Sequence, residues 1–150
     1  MVARSVAVRR RVEHGLTRDE ATRLIGRAPI FAGCSKRDLR QIAAIVELVD
    51  LPAGSVLTRE GEPGREFAVV VEGSVDVRRR GRRLRMLGPG DWLGEIALLT
   101  GGPRTATATT YEPTRALVIR GGMFRSLLER TPSIAYKVLE RTAALVPGAC

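Results

Sequence analysis

The apolar positions of the chain change period twice. Ala21, Leu24 and Ile25 share one helical face, and Thr17 stands three residues before Glu20 in the spacing of a capping box, so a helix is expected over about 17–26. Pro29 and Gly33 break the chain. Ser35 and Asp38 repeat the cap signature ahead of Leu39, Ile42, Ala43 and Val46, which recur at helical spacing. From Glu47 the period drops to two. Val49 and Leu51 alternate with Asp50, Val56–Thr58 is a short strand, and the continuous apolar run at 67–71 fits a buried strand. Val75 and Val77 face away from Ser74, Asp76 and Arg78. Gly81 marks a hairpin tip, after which Leu84, Met86 and Leu87 are expected to return to the core. Residues 106–110 and 116–119 supply two further strands. Turn clusters at 52–54, 60–64, 88–90 and 112–113 separate these runs. Helical spacing then resumes. Met123, Phe124, Leu127 and Leu128 form a stripe, and Thr131-Pro132 starts a helix on which Ile134, Val138, Leu139, Thr142 and Leu145 share a face.

About eight short strands with closely spaced turn signals predict an antiparallel sandwich. The expected class is α+β, mainly β: an antiparallel β-roll or jelly roll flanked by N- and C-terminal helices. Residues 1–27 read as a basic arm, loose up to Gly15, followed by the first short helix. Residues 28–150 read as the main domain.

Composition narrows the function classes. Of 150 residues, 44% are hydrophobic but only 4% aromatic, so the core must rest on Val, Leu, Ile and Ala. No apolar run is long enough for a membrane span, and the first residues lack the apolar region of a secretory signal. Cys34 and Cys150 lie far apart and the chain has one histidine, His14, so zinc is not expected and a reducing, cytoplasmic setting is inferred. The net charge of +9 is carried almost wholly by arginine, since Lys36 and Lys137 are the only lysines. Arg78, Arg79, Arg80, Arg82, Arg83 and Arg85 flank Gly81 with no interleaved aromatic. That pattern reads as a solvated hairpin whose charges protect a sheet edge, rather than as a nucleic-acid surface. No nucleophile, base or metal cluster forms a catalytic set, so no enzyme activity is expected.

The informative stretch runs from Gly94 to Thr107. Gly94 allows close approach of the backbone to a ligand. Glu95-Ile96-Ala97-Leu98-Leu99 reads as a helical turn whose first N–H groups would suit an anion. Arg104 offers a planar fork for a phosphate, with its backbone fixed by Pro103. A carboxylate beside such a site makes sense only if the ligand also brings a donor, and a ribose hydroxyl is one. A sugar hydroxyl beside a singly charged phosphate describes a cyclic nucleotide.

Gly94-Glu95-Ile96-Ala97-Leu98-Leu99 followed by Pro103-Arg104-Thr105-Ala106-Thr107 resembles the phosphate-binding cassette of the cyclic nucleotide-binding domain family, which includes catabolite-activator-type regulators, protein kinase A regulatory subunits and gated channels. The resemblance covers about residues 28–145 and implies a helix–β-roll–helix fold. It implies that Glu95 takes the ribose 2′-hydroxyl, that Arg104 takes the cyclic phosphate, and that N–H groups of Ala97 and Thr105 complete the cradle. Gly94, Ile96 and the Thr105 hydroxyl complete the expected ligand-binding set. The ligand implied is cAMP ahead of cGMP, with no other cofactor and no metal. The function implied is a regulatory module that signals by conformational change to a protein partner. The alternative is a scaffold of the same fold that holds no nucleotide. DNA is not expected as a partner, because no helix-turn-helix follows the last helix, nor is a membrane. Any lid contact would fall near Val146 to Cys150, and the oligomeric state is left open.

Overall fold

The computed structural model describes residues 8–11, 17–64, 66–94 and 103–145, with side chains described for 17–64, 66–94, 103–136 and 139–140. Nine strands among them form two antiparallel sheets. One has the order β1 (Val8–Arg11), β2 (Glu47–Leu51), β9 (Thr114–Arg120), β4 (Glu66–Glu72), β7 (Trp92–Leu93). The other has the order β3 (Val56–Thr58), β8 (Thr107–Thr110), β5 (Val75–Arg79), β6 (Arg82–Leu87). Helices α1 (Arg18–Gly26) and α2 (Lys36–Ala43), joined through a 3₁₀ turn at Pro29–Phe31, lie between β1 and β2 in the chain. Helices α3 (Gly121–Arg130) and α4 (Pro132–Leu145) follow β9. The expected mainly-β roll between terminal helices is the fold observed.

Both front helices start where their caps dictate. The Glu20 N–H donates to Thr17 Oγ1 at 3.1 Å and the Thr17 N–H donates to the Glu20 carboxylate at 3.0 Å. Ser35 and Asp38 make the same reciprocal pair at 3.1 and 3.2 Å. Each closes two otherwise orphaned donors.

The run at 67–71 is apolar throughout because β4 lies between two cores. Phe67 and Val69 join Leu117 and Ile119 of β9 in the layer under the helices, with Ile25, Ile42, Phe124, Leu127 and Ile134. Ala68 and Val70 point the other way, with Ala116 and Val118, into the space between the sheets against Leu57, Val75, Leu87 and Ala108. Strands covered on both faces need no polar alternation. At the edge of this arrangement Asp50 and Arg115, register partners on β2 and β9, pair at 2.7 Å.

Several expectations change. Val8–Arg11 is a strand rather than part of a loose arm: it extends the larger sheet by pairing with β2, a contact no periodicity announces. Leu84 and Met86 do not return to the core. They are 57% and 37% exposed, while Leu87 is buried. Pairing jumps from Val77–Arg85 to Arg78–Arg83, leaving Leu84 as the extra residue of a bulge, and Met86 lies opposite Asp76 on the outward face. Met123 and Leu139 are also exposed, while Phe124, Leu127 and Ile134 are buried. Leu139 comes five residues after Ile134, roughly 140° round a 3.6-residue helix, and so leaves the buried face. The side chains of Val138, Thr142 and Leu145 lie outside the described residues. No helix among the described residues is long and apolar enough to cross a membrane.

Candidate functional site

Arg104 is one of the few buried charged residues, 8% exposed, and the chain fixes it from three sides. Its backbone is zipped to the turn after β3. The Gly61 N–H donates to the Arg104 carbonyl at 2.9 Å and the Arg104 N–H donates to the Glu62 carbonyl at 2.7 Å. Pro103 pairs with Pro63 in the same short antiparallel bridge. Next along the chain, Thr58 Oγ1 donates to the Ala106 carbonyl at 3.0 Å, and the Glu60 N–H donates to Thr107 Oγ1 at 3.0 Å. The segment 103–107 is therefore stitched to 58–63 at alternating points.

The guanidinium is held at its far end. Arg104 Nη2 donates to the carbonyl of Glu66, the first residue of β4. Gly94, with φ +102°, closes the third side. A Cβ there would stand 2.6 Å from Arg104 Nη1 and 2.5 Å from the Glu66 carbonyl oxygen. The close approach expected of Gly94 is thus first an approach to the arginine: the missing side chain makes room for the fork. Gly94 ends the short strand β7, in which Trp92 pairs with Val69 and packs, partly buried, against the helical core.

Thr105 differs from its neighbours. It is exposed on a bend between two pinned residues. Of the expected ligand set, the structure brings together Gly94, Arg104 and Thr105. Glu95, Ile96 and Ala97 lie outside the described residues. Sequence reasoning missed the carbonyl of Glu66 and the backbone of Gly61 and Glu62. These are main-chain partners from segments remote in sequence, and only the turn signal at 60–64 hinted that they would be near.

The site also connects to the helices. Phe67, adjacent to the carbonyl that holds Arg104, stacks on Phe124 of α3 with ring centroids 4.2 Å apart and planes 8° from parallel. It meets Phe31 of the 3₁₀ turn edge-on at 6.4 Å. A cavity of about 310 Å³ opens elsewhere, between Leu24, Arg27 and Pro29 on one side and Val69, Val71 and Pro89 on the other, and none of its lining residues belongs to the arginine's surroundings. Among the described residues no group of three His, Cys, Asp or Glu could hold a metal ion.

The same fold occurs in the regulatory subunit of a cAMP-independent protein kinase A from Trypanosoma brucei, with a TM-score of 0.78, 23% identity, and coverage of 87% of this chain and 46% of that one. In sequence the chain is 33% identical over 121 residues to a CRP-like cAMP-activated global transcriptional regulator of Mycobacterium tuberculosis (strain ATCC 25618 / H37Rv), covering 77% of this chain and 54% of the regulator. It is 35% identical over 126 residues to a cyclic nucleotide-gated potassium channel of Mesorhizobium japonicum, covering 84% of this chain and 35% of the channel. The chain therefore spans about half or less of the length of these relatives. Residues 48–131 match the family model for the cyclic nucleotide-binding domain, from β2 through the stitched cassette to the end of α3, and the chain belongs to that family.

Proposed function

We propose that this domain binds a cyclic nucleotide, cAMP in preference to cGMP, and passes the bound state to a protein partner through its terminal helices. The observation that carries the reading is the seating of Arg104. A buried guanidinium costs free energy unless its donors are used, and here three separate segments converge to hold one fork in a fixed place. In this reading the cyclic phosphate takes a charge-assisted hydrogen bond from Arg104. Glu95 accepts from the ribose 2′-hydroxyl, the N–H groups of Ala97 and Thr105 complete the cradle, and the exposed Thr105 hydroxyl meets the phosphate or the base. Phosphate pulling on the fork alters the geometry at Glu66, and the next residue, Phe67, is stacked on α3. The output is the position of α3 and α4, provided the ligand favours one of two arrangements.

A second reading is a scaffold of this fold that holds no nucleotide. The Trypanosoma structure belongs to a kinase described as cAMP-independent, so the fold alone does not fix the ligand. Calorimetric titration with cAMP and cGMP separates the two. Saturable binding to the unaltered chain that is lost in Arg104→Ala and weakened in Glu95→Ala supports the sensor. Absence of binding to the unaltered chain, with the fold intact, overturns it in favour of the scaffold.

A further inference from the structure

The β5–β6 hairpin carries six arginines in the eight residues 78–85, and its charges are used unevenly. Asp76 accepts from Arg78 Nε at 2.8 Å and from Arg83 Nε at 2.9 Å, and Arg85 lies 3.7 Å from Asp91. The side chains of Arg79, Arg80 and Arg82 pair with no acidic group among the described residues, and all three are exposed. At the tip Arg80 has φ +52° and Gly81 φ +78°. Asparagine or glycine adopts the first of these positions with less strain than arginine does. The Arg80 N–H donates to Glu60 Oε1 at 2.9 Å, which ties the tip to the turn after β3.

β6 is also the last strand of its sheet, so along its outer side no described strand pairs with it. Charges on such an edge prevent pairing with another copy. One or two suffice for that, and protection explains neither an arginine in a left-handed turn nor two exposed apolar side chains, Leu84 and Met86, in the same strand. Like charges repel a second copy of this edge. The same charges attract a strand of opposite sign.

We propose that β6 is a docking edge for an acidic polypeptide segment with interspersed apolar residues, laid alongside it as an added strand. Main-chain bonds to the open edge supply affinity and the side chains supply specificity. The carboxylates meet the unpaired forks of Arg79 and Arg82, which bind them bidentately. The apolar residues cover Leu84 and Met86. Duplex DNA would use the arginines and leave Leu84 and Met86 bare, and it is an outcome of the test, as is an anionic membrane.

The test is fluorescence anisotropy of the full chain with a labelled synthetic peptide of alternating glutamate and valine. A glutamine–valine peptide of the same length, a DNA duplex and phosphatidylserine vesicles form the other arms. The glutamate peptide should bind about tenfold or more tighter than the glutamine peptide and weaken as salt is added. The double variant Arg79→Glu/Arg82→Glu should lose about tenfold or more, and Leu84→Ser about threefold. N-methylation of the peptide along one edge should abolish binding, since a strand so blocked cannot pair. Equal binding of the glutamate and glutamine peptides to the unaltered chain overturns the proposal without any variant. So does tighter binding of DNA or vesicles through the same arginines, or indifference to N-methylation.

Discussion

Phe67 and Phe124 stack in parallel, 4.2 Å between centroids, and this pair joins the strand that holds Arg104 to the first helix after the β-roll. Stacked pairs contribute beyond their buried area, so a cycle built from Phe67→Leu, Phe124→Leu and the double variant should show a coupling of about 0.5–1.5 kcal/mol in urea unfolding. If the pair also carries the ligand's signal, the same cycle run on cAMP affinity shows coupling. Strict additivity in that second cycle would mean that the helices do not sense the site through these rings.

Arg104→Ala should abolish measurable cAMP binding, a loss on the order of 2–5 kcal/mol, because a desolvated phosphate then lacks its partner. It also leaves the Glu66 carbonyl without its donor from Arg104, which should cost the fold roughly 1–3 kcal/mol. Arg104→Lys separates charge from shape. The ammonium keeps the charge but cannot reach phosphate and carbonyl with one rigid fork, so most of the affinity should still be lost. Calorimetry and thermal melts on both variants check the two halves.

Gly94→Ala should harm both fold and site. The backbone there is at φ +102°, and the added methyl meets a backbone oxygen, which cannot swing aside as a flexible side-chain end can. A loss of at least about 1 kcal/mol in unfolding free energy is expected, together with weaker nucleotide binding as the fork is displaced. Gly54, which has positive φ but open space around it, provides the control: Gly54→Asn should be much milder in both assays.

Cys34 should be a poor nucleophile at neutral pH. Burial, and after it the charge of Asp38, push its thiol from 9.0 up to about 11, although a side-chain hydrogen bond with Ser133 acts in the opposite sense. In a Cys150→Ser background, alkylation by iodoacetamide should remain slow at pH 8 and accelerate as pH rises toward 11. A raised pKa means that the folded state holds the proton more tightly, so the contribution to stability is complete below pH 9 and is lost as pH climbs through about 11. Asp38→Asn should lower the pKa and speed the reaction. An alkylation rate already at its plateau by pH 8 would contradict this environment.

Much of the fold was legible because the signals are local or periodic. The Thr17/Glu20 and Ser35/Asp38 boxes place the first two helices directly, and the unbroken run at 67–71 announces a strand covered on both sides. What was not legible depends on distant partners. Leu84 reads as core until the bulge opposite Arg78 leaves it without a place, and Val8–Arg11 becomes a strand only because β2 offers a free edge. At the site, Arg104 could be singled out from its neighbours in sequence. That it rests on Gly94 and the Glu66 carbonyl could not, since a main-chain acceptor carries no sequence signature.

The stitching of 103–107 onto 58–63 has an evolutionary consequence. Arg104 and Ala106 are bound through their backbones, whereas Thr105 between them is exposed and its side chain bonds to nothing among the described residues. Residue identity at 105 is thus decoupled from folding, with substitutions there expected to stay within about ±0.5 kcal/mol in stability. If Thr105 contacts the ligand as proposed above, a lineage is free to exchange the side chain at this one place and retune which ligand is preferred, while the arginine beside it stays locked.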